Sequence, residues 1–221
     1  MCEASGTGRR VAALLLAAAL ANASRAVAAA VIEGTVTLPE NVVAPAPKPR
    51  YPVAATYVIG PPDPPAAIVY VEGTFPRARP AAPADVGQRG YQFSPGLLAI
   101  RTGTTVRFPN LDDEYHSVFS YSRPKRFDLG RYHKDETPAE LVFDQPGVVK
   151  LFCEIHDHMR GTILVLDTPH FVKTDFRGRY RLEGLPAGTV TVKAWIDDDT
   201  LLERTVVLPD GAVVRVDFAP E

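Results

Sequence analysis

Seven consecutive residues, Cys153-Glu154-Ile155-His156-Asp157-His158-Met159, hold a thiol, imidazole and a thioether, and a further imidazole, His116, lies 37 residues upstream. Thiolate, imidazole and thioether form a soft donor set, and such a set suits copper. Two imidazoles and a thiolate in a plane, with a weak axial thioether, let copper move between Cu(I) and Cu(II) with little rearrangement, which is one-electron chemistry rather than bond making. Either His156 or His158 has a usable spacing from Cys153 for the second imidazole. A structural zinc site with one cysteine and three histidines would leave Met159 idle.

Other chemistries find no support. The chain has no Gly-x-Ser-x-Gly elbow, no His-Glu-x-x-His pair and no phosphate-binding glycine loop, so hydrolytic readings fail. Four protein ligands leave no open position for a substrate, and the expectation is a protein that is not an enzyme. The formal net charge of −2 offers no polybasic patch for nucleic acid or an anionic membrane. The runs Asp112-Asp113-Glu114 and Asp197-Asp198-Asp199 are expected to be solvated turns, and the latter lacks the spaced oxygens of a calcium loop. His133 and His170 are expected at the surface.

Residues 1–28 read as an export signal, with Arg9 and Arg10 before a short apolar run and Ala26-Val27-Ala28 as a cleavage site. Ala21-Asn22-Ala23 is a second candidate. Removal of Arg9, Arg10, Arg25 and Glu3 would take the net charge from −2 to −4 and would also remove Cys2. Cys153 would then be the sole thiol of a periplasmic or secreted protein, where a bound thiolate is protected. After the signal no stable membrane insertion is expected.

The elements that must position these residues are strands. Residues 97–100, 104–108, 117–120, 140–143, 148–153 and 162–166 are β-rich runs separated by turn residues such as Thr102-Gly103 and Gln145-Pro146-Gly147. Short strands at this spacing predict a small antiparallel sandwich or barrel. Residues 31–38 and 67–71 are strand-like but isolated among proline-rich stretches at 45–52, 61–65 and 76–83, and two strands alone cannot bury a core. A Thr174-Asp175-x-x-Gly178 segment opens a second β-rich region, continued at 189–196 and 212–218.

The run 91–166 resembles a cupredoxin domain of the plastocyanin and amicyanin kind, with Gly103-Thr104-Thr105-Val106-Arg107-Phe108-Pro109-Asn110 leading into the first ligand loop and Cys-x-x-His-x-x-Met closing the last. The whole chain is similar to methylamine-utilisation-type cupredoxin proteins, in which Cys-x-Ile-His-Asp-x-Met precedes Thr-Asp-x-x-Gly. The resemblance implies His116, Cys153, His156 and Met159 as ligands of one copper ion, and a polar Ser117 tying the ligand loops together. Redox partner proteins are implied as electron donor and acceptor; because His156 lies between Cys153 and Met159 on one tight turn, its ring edge is expected to reach the surface where they meet. Phe108, Phe119, Phe152 and Ile155 are expected around the metal.

The residues from 174 resemble a carboxypeptidase-regulatory-like or transthyretin-like sandwich, whose first strands would be supplied by residues 31–71. The expected fold class is all-β, a Greek-key cupredoxin sandwich plus a second, discontinuous one. The expected division is signal peptide at 1–28, N-terminal β segment at 29–87, cupredoxin domain at 88–166 and regulatory-like sandwich at 167–221. The alternative is a non-redox envelope interaction protein with the same fold that holds no copper.

Overall fold

The computed structural model describes residues 29–40, 59–73, 75, 82–136 and 140–220. The expected signal, Cys2, the proline-rich stretch at 45–52 and most of that at 76–83 lie outside them. The strands run in order β1 (Ala30–Thr35), β2 (Ile68–Glu72), β3 (Ala84–Asp85), β4 (Gly87–Gln88), β5 (Phe93–Ser94) and β6 (Leu97–Arg101). Then come β7 (Thr104–Arg107), β8 (His116–Ser120), β9 (Phe127–Tyr132), β10 (Glu140–Phe143), β11 (Gly147–Phe152) and β12 (Arg160–Leu166). The last are β13 (Phe171–Lys173), β14 (Arg179–Leu185), β15 (Gly188–Trp195), β16 (Leu201–Leu208) and β17 (Val213–Arg215). The fold is all-β, as expected, and among the described residues no helix is long and apolar enough to cross a membrane.

Two sandwiches result. In the central one the sheet β6-β12-β11-β8-β9 faces β10-β7-β3, with Val106, Phe108, Val118, Phe143, Leu151 and Ile163 buried between them. In the other, β13-β2-β15-β16 faces β14-β1-β17 around Ile32, Val69, Leu182, Val192 and Phe218. β1 therefore lies between two strands from the far end of the chain, antiparallel to β14 and parallel to β17, and β2 lies between β13 and β15.

Three details depart from the sequence reading. The sheets are mixed, because β12 runs parallel to β6 and β3 parallel to β7; these partners are distant enough in sequence for a crossover, which parallel pairing requires. The central sandwich takes a strand at Ala84–Asp85, ahead of residue 88 where its start was expected. Pro83 immediately before that short strand makes it read as loop. β9 also went unpredicted, since it is an edge strand whose Asp128, Gly130 and Arg131 carry little β signal.

The sandwiches stack face to face. On β12, Ile163 and Val165 point into the central core while Leu164 and Leu166 point away from it, against Ile68 and Trp195 of the other unit. β2 alternates likewise, with Val69 and Val71 in its own core and Ile68 in the shared layer. Strands buried on both faces read as continuous apolar runs, and Ile163-Leu164-Val165-Leu166 and Ala67-Ile68-Val69 are such runs. Burying each aliphatic side chain in that layer contributes about 2 kcal/mol. At its rim Lys150 Nζ meets Asp198 Oδ1 at 2.9 Å and lies 5.5 Å from the Trp195 ring centroid.

The Thr174-to-Gly178 segment ties the chain ends together. Thr174 Oγ1 accepts the Ala67 N–H at 3.0 Å, and Asp175 Oδ1 accepts the N–H groups of Arg177 and Arg179 at 2.9 Å each. Gly178 turns the chain at φ 76° and passes so close to β1 that a Cβ there would overlap the Val36 carbonyl. Both constraints demand glycine. Gly178→Ala is therefore expected to lower stability by about 1–3 kcal/mol, read as a lower urea midpoint in the fluorescence of Trp195, the sole tryptophan.

Candidate metal centre

Strand register builds the site. Phe152, the last residue of β11, pairs with Phe119 of β8 on one side and with Arg160 of β12 on the other. Residues 153–159 must therefore form a closed loop above that row, and the start of β8 lies alongside. The Met159 N–H donates to the His156 carbonyl at 2.9 Å, closing the turn that the Cys-x-x-His-x-x-Met spacing requires. Ser117 joins the two segments: its hydroxyl accepts the Glu154 N–H at 2.8 Å, and its N–H points at Cys153 Sγ from 3.5 Å.

His116, Cys153 and His156 come together, their donor atoms all within 4.8 Å of one another. The two Nδ1 atoms face each other at 3.1 Å, and Cys153 Sγ lies 3.8 Å from His156 Nδ1. His116 and Cys153 are buried and His156 is half-buried. Met159 is buried in the same apolar cluster as Cys153 and Phe108. His158 turns elsewhere, its Nε2 on the Tyr91 carbonyl at 3.1 Å. His133 stands beside Tyr115 and His170 beside Phe75, both half-buried.

Asp112 governs the His116 ring. Its carboxylate receives N–H groups from Gly90 at 2.7 Å and Tyr91 at 3.0 Å, and lies 2.9 Å from His116 Nε2. A carboxylate there requires Nε2 to carry the ring proton, which leaves the Nδ1 lone pair aimed at His156. Burial pushes the Asp112 carboxyl up, but the two backbone N–H groups and His116 outweigh it and hold it below the usual range. Asp112 is thus an anchor within a run expected to be solvated, whose Asp113 and Glu114 are indeed exposed. The turn is shaped by Asn110, whose Oδ1 accepts the Asp112 N–H at 3.0 Å and whose Nδ2 donates to the Glu114 and Tyr132 carbonyls at 2.7 and 3.0 Å.

Tyr91 is the other residue the sequence did not signal. At φ 61°, unusual for a bulky side chain, it sets its ring edge-on to both imidazoles, 5.0 Å from His156 and 5.7 Å from His116. It takes the place expected for Phe119, Phe152 and Ile155. Val118 and Leu151 point into the core, so alternation sends Phe119 and Phe152 to the opposite face of the sheet, and Ile155 is exposed. Of the four expected neighbours only Phe108 shares the core with Cys153.

The electrostatics favour a thiolate. Burial raises the Cys153 pKa, but the His116 and His156 imidazoles and the Ser117 N–H more than reverse this and bring it down to about 5. His116 is raised: desolvation opposes its charge, and contact with Cys153 and Asp112 overcomes the opposition. The thiolate is the form of sulfur that a soft metal ion binds, and the inward Nδ1 atoms become donors when the metal displaces the protons they share with it.

No family model and no curated protein matches the chain. Solved structures resemble part of it. A copper-containing nitrite reductase from Thermus scotoductus is 28% identical over 45% of this chain and 25% of its own length, with a TM-score of 0.37. A purple cupredoxin from Nitrosopumilus maritimus is 27% identical over 39% of this chain and 100% of its own, with a TM-score of 0.34. An amicyanin variant in its oxidised state is 21% identical over 38% and 81%, with a TM-score of 0.35. The chain thus spans a quarter of the reductase's length.

Because the imidazoles hold the thiol ionised, ultraviolet thiolate absorbance of the metal-free protein should persist at neutral pH and vanish on acidification with a midpoint of about 5. In His116→Ala that midpoint should move upward, since a group that lowers the pKa has been removed.

Proposed function

We propose that this protein is an exported cupredoxin of the methylamine-utilisation type that carries single electrons between redox partner proteins, with one copper ion held by His116, Cys153, His156 and Met159. The observation that carries the reading is the convergence of two imidazole Nδ1 atoms and one ionisable sulfur within 4.8 Å. Copper so held supplies a one-electron Cu(I)/Cu(II) couple. The protein's own residues do the rest.

Asp112 keeps the proton on Nε2 of His116, so that this imidazole donates through Nδ1 without reorienting. The Ser117 N–H, aimed at the sulfur, withdraws electron density from it, a contact that tunes potential in thiolate sites. Tyr91 and the apolar cluster around Met159 keep water from the buried side. A rigid, dry donor set changes little between oxidation states, which is what rapid electron exchange needs. His156 is half-buried where His116 is fully buried, and it is the imidazole through which electrons exchange at the surface. A filled ligand sphere gives a substrate nowhere to bind, so the protein is a carrier and not an enzyme.

Addition of Cu(II) to the protein should give an intense visible sulfur-to-copper charge-transfer band. The band should be absent in Cys153→Ser, lost or strongly altered in His116→Ala and His156→Ala, and kept in His158→Ala. A non-redox or zinc protein would give no such band, and a band surviving in Cys153→Ser would overturn the reading. Asp112→Ala should weaken copper binding about 10–100-fold, measured by competition with a chelator.

A further inference from the structure

The face of the central sheet that the second sandwich covers is only half covered. From Val148 on β11 the same face continues past Lys150 to Phe152, beyond the rim marked by Asp198. There the side chains form a continuous strip. The Arg126 guanidinium lies 5.1 Å from the Tyr121 ring centroid, and the Tyr121 ring 5.3 Å from Phe119. Phe119 is 5.6 Å from Phe152, and the Arg160 guanidinium lies 4.6 Å from Phe152. Tyr121 is 68% exposed, which is high for an aromatic ring.

Arg107, Arg131, Arg179, Arg181 and Arg215 each pair with a carboxylate, whereas Arg126 and Arg160, like Arg123, Arg177 and Arg204, have none among the described residues; what sets Arg126 and Arg160 apart is that they flank one unbroken run of three aromatic rings. Asp128 is in register with Phe119, and its Oδ1 accepts the N–H of Gly130 on its own strand at 2.9 Å. Asp128 keeps its negative charge there, so the two guanidinium groups leave the strip with a net positive charge laid over aromatic rings, on a chain whose net charge is −2. Aromatic residues and arginine are the types enriched where proteins bind one another, and unpaired cations select an oppositely charged face. Phe152 is bonded directly to Cys153, so the strip begins one residue from the sulfur.

We propose that this cation–aromatic strip is the docking face for a redox partner protein whose own contact surface is acidic, and that it is separate from the surface at His156. The partner's role rests on the electron-carrier reading; its docking does not. In the exchange one electron leaves the loaded centre and one is gained by the partner's one-electron acceptor group, with no bond formed and no proton moved.

The test separates the two ideas. Titration of the isotope-labelled, copper-free protein with a short poly-glutamate peptide at low salt should shift the amide resonances of Phe119, Tyr121, Arg126, Phe152 and Arg160. The shifts should disappear in Arg126→Glu/Arg160→Glu, and in Arg126→Gln/Arg160→Gln should the reversal disturb folding. They should remain in the equally charged control Arg177→Glu/Arg204→Glu on the second sandwich. Shifts centred elsewhere, or equal loss in the control, would overturn the proposal, as would a strip that responds to anionic phospholipid vesicles and not to the peptide. A protein that binds the peptide at the strip but never develops the visible copper band would refute the carrier reading and leave the docking face standing.

Discussion

One row of backbone pairing, Phe119 to Phe152 to Arg160, holds the centre in place. It fixes where β11 stops and β12 begins, and so the size of the loop between them. It also fixes which end of β8 lies beside that loop. A slip of one residue in β11 would turn Cys153 to the opposite face and bring Phe152 into the core. The apolar alternation on either side resists such a slip, because Val149 and Leu151 on β11 and Ile163 and Val165 on β12 are all committed to the core. Packing of ordinary aliphatic residues is thus what sets the position of the sulfur.

Polar contacts act within that frame and set direction and charge. Asp112, fixed by Asn110 and by two backbone N–H groups, orients one ring; Ser117 links the two loops; a pair of imidazoles stabilises the thiolate against its burial. Each is a local hydrogen bond, yet each depends on segments distant in sequence. The Gly90–Tyr91 turn reaches the centre only because β4 and β5 pair as a hairpin against the central sandwich.

The sequence displays donors better than supports. Cys153, His156 and Met159 share one loop, and their spacing alone suggested a common purpose; His116 needed only to stand at the head of a strand. Tyr91 and Asp112 gave no signal, since a tyrosine in a loop and an aspartate in an acidic run are usually solvated, and only tertiary structure joins them to an imidazole. Phe119 and Phe152 were misplaced for a different reason. Both lie beside inward-facing Val118 and Leu151, and the two-residue period of a strand sends them outward, a rule visible in the residues themselves. The stacking of the two sandwiches was written in the unbroken apolar run at Ile163–Leu166, where a half-solvated strand would show polar residues at every second position.

The interleaving of the chain ends bears on how the molecule comes to exist. β1 hydrogen-bonds to β14 and β17, so Val31 cannot reach Val213 until nearly all of the polypeptide is present. The central sandwich draws its strands from one contiguous stretch and can close while the terminal one still waits for its last partners. Non-local pairing of this kind is slow to form. In a chain that is threaded across a membrane from its N-terminus, the first strand would travel unpaired, its Val and Ile side chains bare, until the last segment emerged. The period of greatest vulnerability to aggregation and proteolysis therefore falls between the completion of the two sandwiches.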